Sequence, residues 1–578
     1  MYNFYMSKKN KWLFCGIIII ASLLRLNGLA KVPVSLFGDE LDVGYHAYSL
    51  LKTGRDYYGN FLPFHLHSLA EWRTPLYLYS AVPTVWLFGI SPLGVRLPAA
   101  IFGILGIIAL FLFVRFFYKN EKLALLASAL LAFSPWHIQY SRGAFEVTEL
   151  LFFFFMGLYL FFKGLKDGKW LWLSALCLGL MPWIYSSAKL YTPVIVGILV
   201  ILYWRDLKKL KPKHLFGAFL AFVIVGLPTA YSVFAGGAAQ RFSYIGVFSD
   251  PNTEYAVGDK RLHDVVFREK QGGEFAASYT DRLFHNKFTY WGDMIVNNYL
   301  DSFSLDFLFY EGDINPRHSI GGIGQFYVVE AVALFLGIVF YFSGGSKADV
   351  RKKWLILFWI LTAPIPSAIT RDGGTHATRL ILMLPPLIIL MAWGLFNTLT
   401  RLKRGQKVFF VSAYLGLFLL NFIFYQHNYW VHYPWNSERW WHSGFEEAVA
   451  YVKEHESEYD RVVFSVANEP PWIFFAAWYE YPPKLWQENF PLDNVVPLEG
   501  FGDASHIDKF YFASPKENVF RWAEILDNKT LYVASAKEIP MNLILEPQRT
   551  PPGLSLMHSV AYPSGEPVFY LLTGAANE

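Results

Sequence analysis

The sequence predicts a mostly α-helical, polytopic membrane bundle of about eleven spans, followed by a C-terminal extracytoplasmic α/β domain. Three observations point there. Apolar residues make up 54% of the 578 positions without counting glycine, and mean hydropathy is +0.28. Charged residues are only 17%, below the roughly 25% usual for soluble domains. Finally, the apolar residues fall in blocks close to the ~20 residues that cross a bilayer, separated by loops that alternate between basic and nearly neutral. A net charge of +4 is too small for a charge-driven nucleic-acid binder. The composition also excludes a disordered chain. With only Cys15 and Cys177, both inside apolar blocks, a disulfide scaffold is excluded as well.

The predicted spans lie near 12–30, 93–114, 123–137, 147–162, 170–186, 190–204, 214–234, 326–343, 354–369, 379–398 and 408–427. Lysines before the first span and Ala30 after it outline a signal peptide, but a polytopic chain needs that helix. Every second connection is short and basic: Lys8–Lys11, Arg115–Lys122, Lys163–Lys169, Arg205–Lys213, Lys347–Lys353 and Arg401–Lys407. Together these hold 22 Lys and Arg against four acidic residues. The short loops on the other side carry only Arg142, Lys189, Arg371 and Arg379. This bias puts the N-terminus in the cytoplasm and everything after about 428 outside. The predicted division is a membrane part, 1–428, with outer loops at 31–92 and 235–325, and a soluble extracytoplasmic part, 429–578. In the latter, Ser443–Glu446 and Ser514–Glu517 read as capping boxes that open helices. Strand-like runs lie at Arg461–Ala467, Lys509–Ala513 and Thr530–Ala534, with a closing pair around Pro563–Pro567.

Ionisable residues near membrane depth mark function, and four outer clusters stand out. The first holds Asp39, Glu40 and Asp42, followed by Tyr45, Tyr48 and Leu51, a pattern for a short helix lying in the interface. Its acidic pair could equally just start that helix, where carboxylates favour the positive end of the dipole. The second is the Ser134-Pro-Trp-His137 hairpin running to Arg142 and Glu146, which sit four apart and could pair on a helix. Third comes Asn298–Gln325, with Asp301, Asp306, Glu311 and Asp313 leading to Arg317 and His318; fourth is Thr370–Arg379 with Arg371, His376 and Arg379. Interfacial basic residues also bind lipid headgroups. Arg25 and Glu330, within or beside spans, are candidates for pore residues or for snorkelling side chains. Carboxylates and arginines gathered at one membrane face suit a substrate with an anionic head and a hydrocarbon tail, because arginine grips phosphate bidentately.

At these clusters the chain resembles membrane glycosyltransferases of the GT-C fold that use polyprenyl-phosphate sugars, a class including protein O-mannosyltransferases and the aminoarabinose transferase of lipid A. The resemblance covers roughly 12–400 and rests on Asp39-Glu40 in the first outer loop together with the three other clusters. It implies an enzyme in the membrane of the cell envelope, with a bacterial plasma membrane as the location. Its partners would be a lipid-linked hexose or pentose donor and a lipid, glycan or protein acceptor. Asp39 would be the general base of an inverting transfer, with Glu40 orienting or assisting. Arg142, Glu146, Arg317, His318, Arg371, His376 and Arg379 would bind substrate. No cofactor is implied with certainty; no ligand set in the sequence demands a metal, although a divalent ion is compatible with it. The alternatives are a transporter or flippase of lipid-linked sugars, for which no internal repeat is seen, and a non-catalytic assembly protein.

Overall fold

The computed structural model describes residues 6–69, 72–234, 236, 240–343 and 350–575; Lys347 of the predicted basic loops lies outside them. From the N-terminus, α1 (Lys8–Leu26) leads to a segment with α2 (Gly38–Thr53), a hairpin of the two-residue strands β1 (Leu66–His67) and β2 (Trp72–Arg73), and α3 (Leu76–Phe88). Next come α4 (Pro92–Tyr118), α5 (Glu121–Phe133), the short α6 (Pro135–Tyr140), α7 (Val147–Gly164), α8 (Leu171–Ile184), α9 (Ala188–Leu207) and α10 (Pro212–Phe234). A second long segment holds α11 (Gln240–Ile245), α12 (Thr253–Glu269), α13 (Tyr279–Phe284) and α14 (Lys287–Asp301). The membrane part closes with α15 (Val328–Ser343), α16 (Val350–Thr362), the short α17 (Ile365–Ala368), α18 (Leu384–Arg401) and α19 (Arg404–His427).

A helix overlaps each predicted span. Among the described residues, six stretches are individually long and apolar enough to cross a bilayer: α4, α7, α9, α10, 381–401 and 404–436. Helices α5 and α8 have only 13 and 14 residues, so length alone does not make them spans. Local chemistry sets the ends. Ser91 caps α4 through the Gly94 N–H, with Pro92 at the first helical position. Asn120 caps α5 in the same way. Helices α15 and α18 cross backbone to backbone at Gly337 and Gly394: a Cβ on either would fall within 2.3 Å of a facing carbonyl oxygen, the close approach that small residues permit between membrane helices.

Beyond α19 come α20 (Tyr433–Asn436), α21 (Phe445–His455), α22 (Pro471–Tyr479) and α23 (Pro483–Glu488), around a seven-stranded sheet. Its strands are β3 (Arg461–Phe464), β4 (Val495–Leu498), β5 (Gly502–Ile507), β6 (Phe510–Phe512), β7 (Thr530–Ser535), β8 (Leu554–Ala561) and β9 (Pro567–Gly574), in the order β4-β5-β6-β3-β7-β9-β8. Strand β3 runs parallel to β6 and β7, and the other pairs are antiparallel. Alternation along the strands builds two cores. Val463, Tyr532, Ala534 and Tyr570 face one side. Val462, Phe464, Leu531, Val533 and Phe569 face the other, where they merge with Leu41, Val43, Tyr45, Tyr57 and Tyr77 of the segment between α1 and α4.

Three expectations are corrected here. Helix α2 does not lie on lipid; its apolar residues are covered by α22 and α23, and the Tyr45 hydroxyl donates to the Tyr481 carbonyl at 2.9 Å. Ser443 does not cap α21, whose N-cap is Gly444 at φ +99°. Ser514 opens no α-helix either; a 3₁₀ turn starts after Asn518 instead, and the Ser514 hydroxyl accepts from the Val466 N–H.

Candidate active site

The N-terminus of α2 presents three carboxylates in four residues, and the fold gives each a different fate. Glu40 is fully buried. It forms a two-pronged pair with Arg96 of α4 at 2.7 and 2.8 Å and accepts the Ala144 N–H at 2.7 Å. Arg96 spends its remaining donors on the carbonyls of Leu29, Pro33 and Ser35. Asp42, also buried, accepts from Tyr57 at 2.6 Å and Arg73 at 3.0 Å, with His46 at 3.6 Å. Asp39 alone is exposed, and among the described residues its carboxylate accepts no hydrogen bond. Arg73 donates at 2.9 Å to its backbone carbonyl, and the charges of both Arg73 and Arg317 act on it. Glu40 is thereby removed from contact with an acceptor, a correction to the role the sequence suggested.

The hairpin after α5 is a scaffold. Ser134 caps α6, and buried Trp136 donates to the Ala377 carbonyl at 3.2 Å while its ring packs on Phe307 and Phe326. Gln139 donates to the Arg317 carbonyl, and the Tyr140 hydroxyl meets Thr378 at 2.7 Å. The hairpin therefore ties the 307–327 and 376–379 segments together. Arg142 is turned inward: it donates to the carbonyls of Leu24, Arg25, Asn27, Gly28 and Val32 and to the Tyr429 hydroxyl. It closes the C-terminus of α1 and is not placed to bind substrate, the second correction; nor does it pair with Glu146, which sits half-buried before α7 within reach of Arg73's charge. Arg25 does not snorkel. It is fully buried and reaches His137 at 2.7 Å. Glu330 is buried too and accepts the Tyr327 N–H at its own helix start.

The remaining candidates converge from two loops. Arg317 lies over the Phe37 ring at 4.7 Å and donates to the Trp440 carbonyl at 2.8 Å; burial pulls its pKa below the usual value. Burial, helped by the charges of Arg317 and Arg379, pushes the His318 imidazole down to about 3, so it is neutral at pH 7. Its ring meets that of His376 at 5.1 Å. Arg379 is buried and pairs with Asp372 at 2.6 Å and Thr370 at 2.7 Å. Arg371, by contrast, turns away to the Tyr244 carbonyl and toward Asp250 at 3.9 Å.

Arg379 and Lys189 line a mostly apolar cavity of about 330 Å³, walled by Tyr185, Leu190, Phe242 and Ile369. A more polar cavity of about 360 Å³ lies on the sheet side, with His442, Glu469, Lys537 and Tyr562 in its wall. His442 links it to the third cluster by contacting both Arg317 and Glu469. Sequence reasoning gave no role to Arg73, Asp313, Asp372 or Lys189. Arg73 had a signal, standing in an Arg-Thr-Pro-Leu-Tyr run in the acidic outer loop. The others became visible only through contacts across the fold. A carboxylate and two imidazoles, from Asp313, His318 and His376, come within 4.8 Å of one another and could hold a metal ion.

Residues 73–231, roughly a quarter of the chain, match the dolichyl-phosphate-mannose-protein mannosyltransferase family. No curated protein sequence matches significantly. Among solved structures, ArnT from Cupriavidus metallidurans bound to undecaprenyl phosphate is 11% identical, with 98% of each chain covered and a TM-score of 0.50. The Archaeoglobus fulgidus oligosaccharyltransferase AglB, in complex with an inhibitory peptide and a dolichol-phosphate, is 14% identical over 82% of this chain and 64% of that one, with a TM-score of 0.47. The S. cerevisiae protein O-mannosyltransferase complex bound to its sugar donor is 19% identical over 41% and 34%, with a TM-score of 0.31. The chain thus spans less than two thirds of the archaeal enzyme's length. The chain shares the fold of ArnT, in keeping with the mostly helical membrane bundle and C-terminal α/β part that the sequence predicts, and the protein is an integral membrane protein.

Proposed function

We propose that the protein is an inverting glycosyltransferase that moves a hexose or pentose from a polyprenyl-phosphate donor to an acceptor hydroxyl at the extracytoplasmic face of a bacterial plasma membrane. In this reading the N-terminus is cytoplasmic and the sheet-bearing part, 429–578, lies outside. One observation carries it: of the three carboxylates at the start of α2, Asp39 alone is exposed and unencumbered, at the edge of an arginine-rich face.

Asp39 takes the proton of the acceptor hydroxyl as that oxygen attacks the anomeric carbon from the side opposite the phosphate. The bond from the anomeric carbon to the phosphate oxygen breaks, the lipid phosphate leaves with the bonding pair, and the proton passes from Asp39 to water. A phosphate leaving group needs charge stabilisation rather than protonation, so a single base suffices, unlike the two carboxyls of glycosidases. Arg379 and Arg317 supply that charge. The apolar cavity beside Arg379 and Lys189 has the character needed for the first isoprene units of the donor. The more polar cavity next to His442 offers itself to the acceptor. Glu40, Arg96 and Arg142 are positioning residues in this scheme. ArnT was solved with undecaprenyl phosphate and AglB with dolichol-phosphate, which agrees with a lipid-phosphate donor.

The test is reconstitution in liposomes with radiolabelled polyprenyl-phosphate sugars, wild type against Asp39→Asn, with crude membrane acceptors present. Asp39-dependent consumption of one donor supports the transferase. Equal consumption by both proteins discards Asp39 as the base, and inert donors discard the transferase reading for every sugar tried.

A further inference from the structure

We propose that Asp313, His318 and His376 form a transition-metal site, of the zinc type, that clasps the two outer loops which carry the cationic residues. The inference is independent of the transferase reading. It starts from geometry: one carboxylate oxygen and two imidazole nitrogens, each ligand with an atom within 4.8 Å of the others. Zinc sits about 2.0–2.2 Å from such ligands, which holds them roughly 3.4 Å apart in a tetrahedron, so side-chain rotations of about 1 Å close the cage.

The surroundings are arranged as metal sites require. The Asp313 carboxylate is aimed by two backbone donors, Asn315 N–H at 2.9 Å and Ala377 N–H at 2.8 Å, one from each of the loops to be joined. Each of its oxygens keeps a lone pair for an ion. His318 Nδ1 lies 3.2 Å from the Thr378 hydroxyl, which in turn meets the Tyr140 hydroxyl at 2.7 Å. Such a partner on the far nitrogen fixes the tautomer and presents Nε2 to a metal. The ring is held flat by Tyr140, stacked at 5.9 Å, and by Phe145 at 5.4 Å. Two imidazoles and one carboxylate suit zinc, iron or manganese. Magnesium prefers six oxygens and retains its waters. With three protein ligands, a fourth position stays open to water.

The placement gives the site its consequence. The 312–319 and 371–379 loops each carry a cationic residue of the proposed phosphate site, Arg317 on one and Arg379 on the other. An ion shared between the loops would fix the separation of the two guanidinium groups, whatever anion they receive.

Full-length protein in nanodiscs, stripped with chelator and dialysed, is titrated with Co²⁺ and read by its visible d–d absorption. A saturable, intense low-coordination spectrum at one equivalent, displaced by Zn²⁺ and not by Mg²⁺, is the expected result. Its absence in the wild type overturns the proposal without recourse to any variant. His376→Gln and Asp313→Asn should abolish the stoichiometric signal. Thr378→Val, which leaves all three ligands in place, should weaken affinity about ten- to a hundredfold. His427 and His432 face each other at 3.2 Å on an exposed surface, so His432→Gln is the control. A spectrum lost with His432 and retained without His376 assigns the metal to that surface pair and refutes the site.

Discussion

The two long segments of this molecule, one between α1 and α4 and the other between α10 and α15, are built in opposite ways. In the first, α2 buries eleven of its sixteen residues, and its core is continuous with the lower face of the C-terminal sheet. In the second, α12 buries three of seventeen residues and α14 one of fifteen; Tyr255, Phe267, Tyr279, Phe284 and Phe288 all stay exposed. A group that must be aimed within a fraction of an ångström belongs on the first kind of support. A frame that admits a long flexible tail tolerates the second, whose few buried contacts make local opening cheap. Asp39 stands on the first. The segment that walls the apolar cavity through Phe242 and Ile245 belongs to the second.

The comparison breaks most sharply at two adjacent residues. Asp39→Asn should lower turnover by about 10²–10⁴-fold while leaving expression and thermal stability in detergent unchanged, because the side chain is exposed. Near-normal turnover would remove Asp39 from the chemistry. Glu40→Ala should do the reverse first: it strands Arg96 as an unpaired buried charge, and about 3–5 kcal/mol of stability goes with it. A thermal melt superimposable on wild type would mean that the pair does not hold α2 to α4. Arg379→Gln should raise the KM for the lipid-linked donor about tenfold, roughly 1.4 kcal/mol of lost charge-assisted binding, with a smaller effect on the acceptor. Equal effects on both substrates would detach Arg379 from the phosphate.

The smallest effect lies in the looser segment. Arg268, hydrogen-bonded to Asp281, holds that carboxyl down to about 2. Its contribution to stability is complete above the ordinary aspartate pKa of about 3.9 and is lost as pH falls through about 2. Proteolysis around 270–280 should therefore rise on acidification below about pH 4, and Asp281→Asn should show that rise already at neutral pH. If the variant is cleaved no faster than wild type, the pair does not organise the loop.

How much of this was legible in the sequence differs by level. Long apolar blocks and the lysine bias give the bundle, since both follow from the solvent around the chain and not from contacts within it. Strands β3, β6 and β7 are legible from their apolar runs, whereas β4, interrupted by Pro497, and the proline-started α22 are not. At the site, residue type picked out Asp39, Arg317, His318, His376 and Arg379, but it could not separate Asp39 from Glu40. That distinction depends on Arg96, 56 positions further on in the chain. Arg142 misled because an arginine that binds five carbonyls and one that binds a phosphate look alike in one dimension. Asp313 went without a role because the groups it meets lie five and more than sixty residues away, at His318 and at His376 and Ala377.

The shared core beneath α2 also sets an order of events. Tyr45 waits for Tyr481, a separation of 436 residues, and the Ser49 hydroxyl waits for Gln487. A ribosome adds roughly 5–20 residues each second, so the first outer loop is delivered tens of seconds before the surface that covers it. During that interval the groups that meet Tyr481 and Gln487 stay uncovered, while Glu40 already has Arg96 of α4 to hold it. The loop that carries α2 is therefore completed only when the last quarter of the chain arrives, and in the proposed reading the full support of Asp39 waits for it.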